Sequence, residues 1–465
     1  MRCSRWCLGF AMLAMMLIPA WVPALAGVAH AGPAAAPVIL EGARLIDGTG
    51  KPPRDNAALV IEGDKITAVG VTGKLARPKG ARVVDLHGRT IMPGLISAHS
   101  HAGLVIGAAN SADAYTREAV QAAARQYEQY GVTSFVTLGL NRDLVYELRD
   151  QQRQGTVPGA SIFTAGRGIG APGSVPPQPV QPDQVYRAAT ADEARAQVRE
   201  MAGHHVDIVK LWVDDNFGKF PKMQPEVYRA VIDECHKQKL RVAAHVFYLA
   251  DAKALIAAGV DVLAHSVRDQ PVDAELIRSL KAHGAFYIPT LNVDHSFFVF
   301  VDQPEVLSDP FFQRATSPEQ LQMLQSQAYK DKVAANPVVP KEKAAFATAT
   351  KNLKALHDAG VQIAFGTDSG ANPERITGWA EHHELELMVA AGLSPMDAIV
   401  AATRTSAALI KASDRGTLEP GKRADFVVLA ADPTADIRNT RQLVMVWHGG
   451  KEIEPRVPAA SKPAR

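Results

Sequence analysis

The spacing of apolar and polar positions changes character near residue 91. From Val38 to Val84 the chain shows short runs of strand length, VILEGARLIDG, AALVIEGDKITAVG and ARVVDL, broken by Gly, Pro and Asp-Asn and without helical periodicity. From Ile91 onward, apolar runs alternate with longer amphipathic segments. The runs open with IMPGLISAHSHAG and continue as VTSFVTLGL (132–140), SIFTAGRG (161–168), DIVKLWV (207–213), RVAAHVF (241–247), DVLAHSV (261–267), AFYIPTL (285–291) and QIAFGTDS (362–369), which predicts eight strands. Between them, REAVQAAARQYEQY, ADEARAQVREMAG, PEVYRAVIDECHKQ and LADAKALIAAG predict helices, several ending in glycine as a C-cap does.

Near-continuous apolar strands buried on both faces need helices to cover them, so these units predict an α/β chain built as a (β/α)8 TIM barrel. Two more helices, GWAEHHELELMVAAG and SPMDAIVAATRTSAALIKAS, follow the eighth strand. From Gly416 to about Glu452 the chain returns to strands like those near its N-terminus, so the two ends are expected to pair into one small β domain. The expected boundaries are 36–90 and 414–455 for that domain and 91–413 for the barrel. The run 294–341 far exceeds the usual connection of about 2–6 residues and follows the seventh strand, which predicts a lid. Its Phe297, Phe298, Phe300, Phe311 and Phe312 would line substrate or pack the insertion's own core.

Of the 465 residues 47% are hydrophobic and 21% charged, which excludes a disordered or collagen-like chain. Residues 1–31 carry Arg2 and Arg5 ahead of an apolar run from Trp6 to about Ile18, then the small-x-small sites Ala24-Leu25-Ala26 and Ala29-His30-Ala31, the pattern of a secretory signal peptide. The apolar run is shorter than the roughly 20 residues of a membrane span. Without that segment 50 − 2 = 48 basic residues face 48 acidic ones, so no nucleic-acid partner is expected. Cys3 and Cys7 leave with it, and Cys235 then has no disulfide partner. A disulfide-free exported enzyme suits a bacterial periplasm or secretion, with no membrane span after cleavage.

Candidate chemistry sits at the strand ends. His99 and His101 are one residue apart on a strand, so both side chains leave the same face and can grip one metal ion. His245, His265 and Asp368 end three further apolar runs, which places ligand types at one layer. Lys210 interrupts DIVKLWV, where an isolated ammonium is costly. Two arrangements relieve it: an ion pair with Asp214 or Asp215, or reaction of the neutral amine with carbon dioxide to give an anionic carbamate able to bridge two cations.

PGLISAHSHAG, the lysine of VKLW, the histidines of AAHVF and LAHS, the GTDSG run and the GTLEPGKRADFVVL tail together resemble the amidohydrolase superfamily, in its imidazolonepropionase-like and prolidase-like branch. The likeness covers nearly all of the mature chain. It implies a (β/α)8 barrel with a small β-sandwich formed by both chain ends, and two divalent metal ions, usually Zn2+. It further implies that His99, His101 and Asp368 bind the more buried ion, that His245 and His265 bind the more exposed one, and that Lys210, carboxylated by CO2, bridges them. Asp368 is then also the catalytic acid–base residue. Imidazolonepropionase itself uses one metal and no bridging lysine, so Lys210 draws the chain toward the binuclear members.

The expected activity is hydrolysis of a C–N bond in a small-molecule amide or peptide, such as a dipeptide, N-acyl amino acid or cyclic amide, by metal-activated hydroxide. A lactonase or esterase on the same binuclear site, or a non-catalytic binding protein on the barrel, are the alternatives. Homo-oligomerisation is left open. Tyr248, Arg268, Asn292 and His295 lie at or just after the fifth to seventh strands, where barrel enzymes read substrate, and are the candidate substrate residues. His204 and His205 are expected on the surface at the opposite end, and His382 and His383 on the solvent face of a helix. Cys235 is expected to be a buried apolar residue.

Overall fold

Each of the eight predicted runs contains a strand: Leu95–Ser100, Val132–Thr137, Ser161–Thr164, Val209–Trp212, Val242–His245, Val262–Ala264, Phe286–Ile288 and Gln362–Ile363. The computed structural model describes residues 36–176 and 179–456, so the expected signal peptide lies outside the described residues. Helices Arg117–Gln129, Ala191–Gly203, Pro225–Lys237 and Leu249–Ala257 occupy the predicted helical segments. Thr116 and Thr190 cap the first two by accepting from the backbone N–H groups of Ala119 and Glu193. The interior is filled by Ile96, Ala98, Val136, Ile208, Ala243 and Val262.

The fold is mixed α/β, and its parallel ladders form a three-stranded sheet and a seven-stranded sheet. Among the described residues no ladder closes into a ring, and the parallel strands stand as two open sheets. Backbone hydrogen bonds cross the gaps, from Asp207 N to Thr164 O (2.9 Å) on one side and from Ala98 N to Phe365 O (2.8 Å), His101 N to Ser369 O (2.7 Å) and Thr367 N and Asp368 N to His99 O (both 2.9 Å) on the other. The eighth strand keeps ladder geometry only over Gln362–Ile363, and beyond it the chain runs close against the first strand. A Cβ at Gly366 would stand 2.8 Å from the His99 nitrogen, so only glycine permits that approach.

Residues 38–93 and 426–453 share one eight-stranded sheet. Phe426–Leu429 pairs antiparallel with Thr90–Pro93, and Leu443–His448 and Lys451–Ile453 extend the sheet beyond it. The stretch from 292 to 358, which holds the connection 294–341, is built largely of short helices and ends in the long helix Val339–Asp358. Its phenylalanines divide: Phe300 and Phe312 pack on Trp379, Phe311 meets Tyr130 and His382, and Phe298 meets His295. Phe297 lines a cavity described below.

Candidate active site

Strand alternation brings the candidate ligands together. Ile208 and Ala243 belong to the interior, so Lys210 and His245, two residues on, leave the same faces, Lys210 from within its strand and His245 from the C-terminal end of its own. His265 and Asp368 follow different geometry: both have left-handed backbones, with φ of 78° and 58°. Such strain in non-glycine residues costs on the order of 1–3 kcal/mol each and persists where surrounding structure imposes it.

His99 Nε2 and His101 Nε2 converge on Asp368 Oδ1 at 3.1 and 2.9 Å. The donor atoms of these three buried residues all lie within 4.8 Å of one another. The His99 ring lies 4.5 Å from that of His265, which lies 4.3 Å from that of His245. Thr290 Oγ1 meets His265 Nδ1 at 2.7 Å, and Asp214 Oδ2 meets His245 Nε2 at 2.9 Å, so each of these rings keeps its other nitrogen available. His99 Nδ1, His101 Nδ1 and Lys210 Nζ are buried without a hydrogen-bond partner. Lys210 forms no ion pair among the described residues: Asp214 serves His245, and Asp215 accepts from Tyr248 at 2.7 Å.

The electrostatics favour cation binding. Burial, reinforced by Lys210, pushes His99 down to about 3. Burial lowers His245 despite its Asp214 partner, and holds His265 well below the ordinary histidine range with help from His245 and His99. These imidazoles are neutral, as metal ligands must be. Burial pushes the Lys210 amine down to about 7 against the opposing pull of Asp368. Burial opposes ionisation of Asp368 too, yet the Arg375 guanidinium and the His101 and His99 hydrogen bonds outweigh it and hold the carboxyl well below its usual range. Six groups facing one space, four imidazoles, an amine and a carboxylate, with orphaned buried nitrogens among them, fit divalent metal ions.

A cavity of about 380 Å³ opens over these groups. Trp212, Phe217, Phe247 and Phe297 give it aromatic lining, and Arg268, Glu342 and Arg375 supply charge. Of the four substrate candidates only Arg268 lines it. Tyr248 is turned away by its hydrogen bond to Asp215; Asn292 is fully buried and donates to Thr367 O at 3.2 Å; His295 is buried against His383 at 2.8 Å. His382 and His383 are corrections, since both are buried: His382 meets Tyr130 O at 2.9 Å, and His383 stacks on Trp379. His205 is exposed and His204 half-buried, while Cys235 is fully buried in its helix.

Sequence reasoning missed Arg375, Glu342 and Asp294. Arg375 forms an ion pair with Asp368, and Arg268 Nε lies 3.0 Å from Asp294 Oδ1. Arg375 follows GTDSG in the turn GANPER, a location that could have flagged it; Glu342 lies about fifty residues beyond the seventh strand, with no local signal.

A family model for the amidohydrolase family matches residues 90–453, and the chain belongs to that family. It is therefore an enzyme that hydrolyses C–N bonds. The chain is 27% identical to an ochratoxinase from Aspergillus niger over 89% of its own length and 86% of that protein. Its structure is similar to that of a Bifidobacterium longum protein assigned as a prolidase, with a TM-score of 0.74 and 26% identity over 93% of this chain and 97% of the other. The structure of a molinate hydrolase gives a TM-score of 0.70 at 22% identity, over 93% and 99% of the two chains, and shows likeness of fold.

Proposed function

We propose that this amidohydrolase cleaves the amide bond of a dipeptide, an N-acyl amino acid or a cyclic amide at a site for two divalent ions, Zn2+ being the expected metal. The observation that carries this reading is Lys210, a fully buried lysine without a polar partner in a site with four histidines and an aspartate. His99, His101 and Asp368 would hold one ion, His245 and His265 the other, and carboxylated Lys210 both. When bound, the ions polarise the scissile carbonyl and lower the pKa of a water.

The chain's own groups do the rest. Above about pH 7 the Lys210 amine is mostly neutral, and its lone pair forms an N–C bond to CO2 while one proton leaves, giving the anionic carbamate. Asp368, held ionised, accepts the proton of the attacking water and passes it to the leaving nitrogen. Arg268 faces the anionic end of the substrate, and the aromatic lining receives its apolar part. Likeness to the Bifidobacterium prolidase supports the dipeptide, and a cavity of about 380 Å³ suits a small molecule.

The proposed architecture is a (β/α)8 barrel over 91–413, flanked by a β-sandwich from 36–90 and 414–455. It is supported by the hydrogen bonds that bridge the parallel sheets and by Val38–Leu45, which pairs along one edge with both Arg82–Asp85 and Thr90–Pro93. Export to a bacterial periplasm or beyond is proposed from residues 1–31. Among the described residues no helix is long and apolar enough to cross a membrane. Metal analysis combined with a panel of amides, esters and lactones tests the functional reading. About two ions per chain and chelator-sensitive amide turnover are expected; full activity with one ion or fewer, or turnover of esters alone, would overturn it.

A further inference from the structure

The helix Trp379–Ala390 carries four consecutive polar residues, Glu381, His382, His383 and Glu384, and all four are buried. Glu381 has the most connected of these side chains. Its Oε1 accepts from Thr367 Oγ1 at 2.7 Å and from Ser369 Oγ at 2.6 Å, the hydroxyls on either side of Asp368. Ser97 Oγ reaches the same oxygen at 3.5 Å from the strand that bears His99, while Oε2 accepts from Gly378 N at 2.8 Å. Ser369 Oγ also meets the Tyr127 hydroxyl at 2.7 Å, and Ser369 N donates to Thr367 Oγ1 at 3.0 Å.

This arrangement solves a local problem. Asp368 sits in a left-handed conformation that aspartate adopts only at a cost, and its own backbone N–H donates to His99 O at 2.9 Å. A buried carboxylate that grips both neighbours fixes the turn from behind without touching the Asp368 carboxylate. Charge-assisted hydrogen bonds of this length are about twice as strong as neutral ones, enough to offset strain of that size. We propose that Glu381 is a positioning residue, acting through Thr367 and Ser369 to hold Asp368 in the backbone geometry from which its carboxylate meets His99 and His101. This rests on the reading of Asp368 as metal ligand and proton carrier.

The test compares Glu381→Gln, Thr367→Val with Ser369→Ala, and the combination of all three, with His382→Gln as control. His382 is buried on the same helix but faces Tyr130 O and Thr440, away from the site. Glu381→Gln should lower kcat roughly tenfold, about 1.4 kcal/mol of barrel-mouth organisation by transition-state arithmetic, with KM within about twofold. Zinc affinity, read by competition with a chromophoric chelator, should weaken in parallel. The hydroxyl variants should reproduce both effects, and the triple variant should add little, since all break one network. His382→Gln should lower Tm without changing kcat or zinc affinity. Wild-type kcat and zinc affinity in Glu381→Gln, with only Tm reduced as in the control, would overturn the inference. If Asp368→Asn itself keeps full activity, the underlying reading of Asp368 has failed instead.

Discussion

Lys210 shows how a single residue can declare a site. Burial without a hydrogen-bond partner makes its ammonium unfavourable, and the amine is pushed down to about 7 despite the pull of Asp368. Lys210→Ala should lose bound metal and turnover together, and added bicarbonate or a short carboxylic acid should restore part of both; metal analysis showing two ions still bound would remove the bridging role. Metal loading from bicarbonate should also fall as pH drops through about 7, because protonation removes the lone pair that attacks CO2. Asp368→Asn keeps the shape of the side chain and loses its basicity, so kcat should fall by roughly two to four orders of magnitude. Near-wild-type turnover in that variant would transfer the proton to another group. These residues were legible in the sequence because each interrupts or ends an apolar run, where a polar group needs a reason. Glu342 was not, because what matters about it is its partners Asp294 and Arg268, distant in sequence, and Arg375, only seven residues beyond Asp368, lies in a turn outside any apolar run.

At the level of elements, the helix Trp379–Ala390 was read with its polar residues toward solvent, and the reverse holds. Its polar residues face inward because the strand ends around the site leave backbone and hydroxyl donors that need acceptors: Glu384, for example, accepts from the N–H groups of Leu291 and Asn292 at 2.8 and 2.7 Å. A periodicity argument cannot distinguish that from a solvated face, since both present polar residues at the same spacing. The helix Val339–Asp358 carries a comparable group. Burial, with Asp294 beside it, raises Glu342 to about 8 against the pull of Arg268, and Asp294 is raised as well. A carboxyl with a folded value above its ordinary 4.5 binds more protons folded than unfolded between those values. Its contribution to stability is therefore fully present below about pH 4.5 and is lost as pH rises through about 8. Glu342→Gln should flatten the decline of Tm across that window; an unchanged slope would show that the group is ionised at little cost.

For the whole molecule, the sheet built from residues 38–93 and 426–453 is fastened to the body by a buried contact outside the cavity. His448, at the end of its strand, meets Glu128 Oε1 at 2.7 Å and Ser161 Oγ at 3.0 Å, joining the end sheet to a helix and to the third parallel strand. None of these residues lines the cavity, and the N-terminal face of such folds reads as stability. His448→Ala should lower Tm while leaving kcat unchanged. The metal site acts on the same global equilibrium by a different route, because an ion that binds only the folded chain adds about 2.7 kcal/mol when its free concentration is one hundred times Kd. The site's side chains are also held by Thr290, Asp214 and Arg375, so chelation should lower Tm and leave the far-ultraviolet circular dichroism intact. The shift on chelation should be the same size in wild type and in His448→Ala, since the two features share no residue, and should nearly vanish in Lys210→Ala. A chelation shift that persists in full in Lys210→Ala would mean that the stabilising ion is bound without the lysine, and the site would then have to be rebuilt around His99, His101 and Asp368 alone.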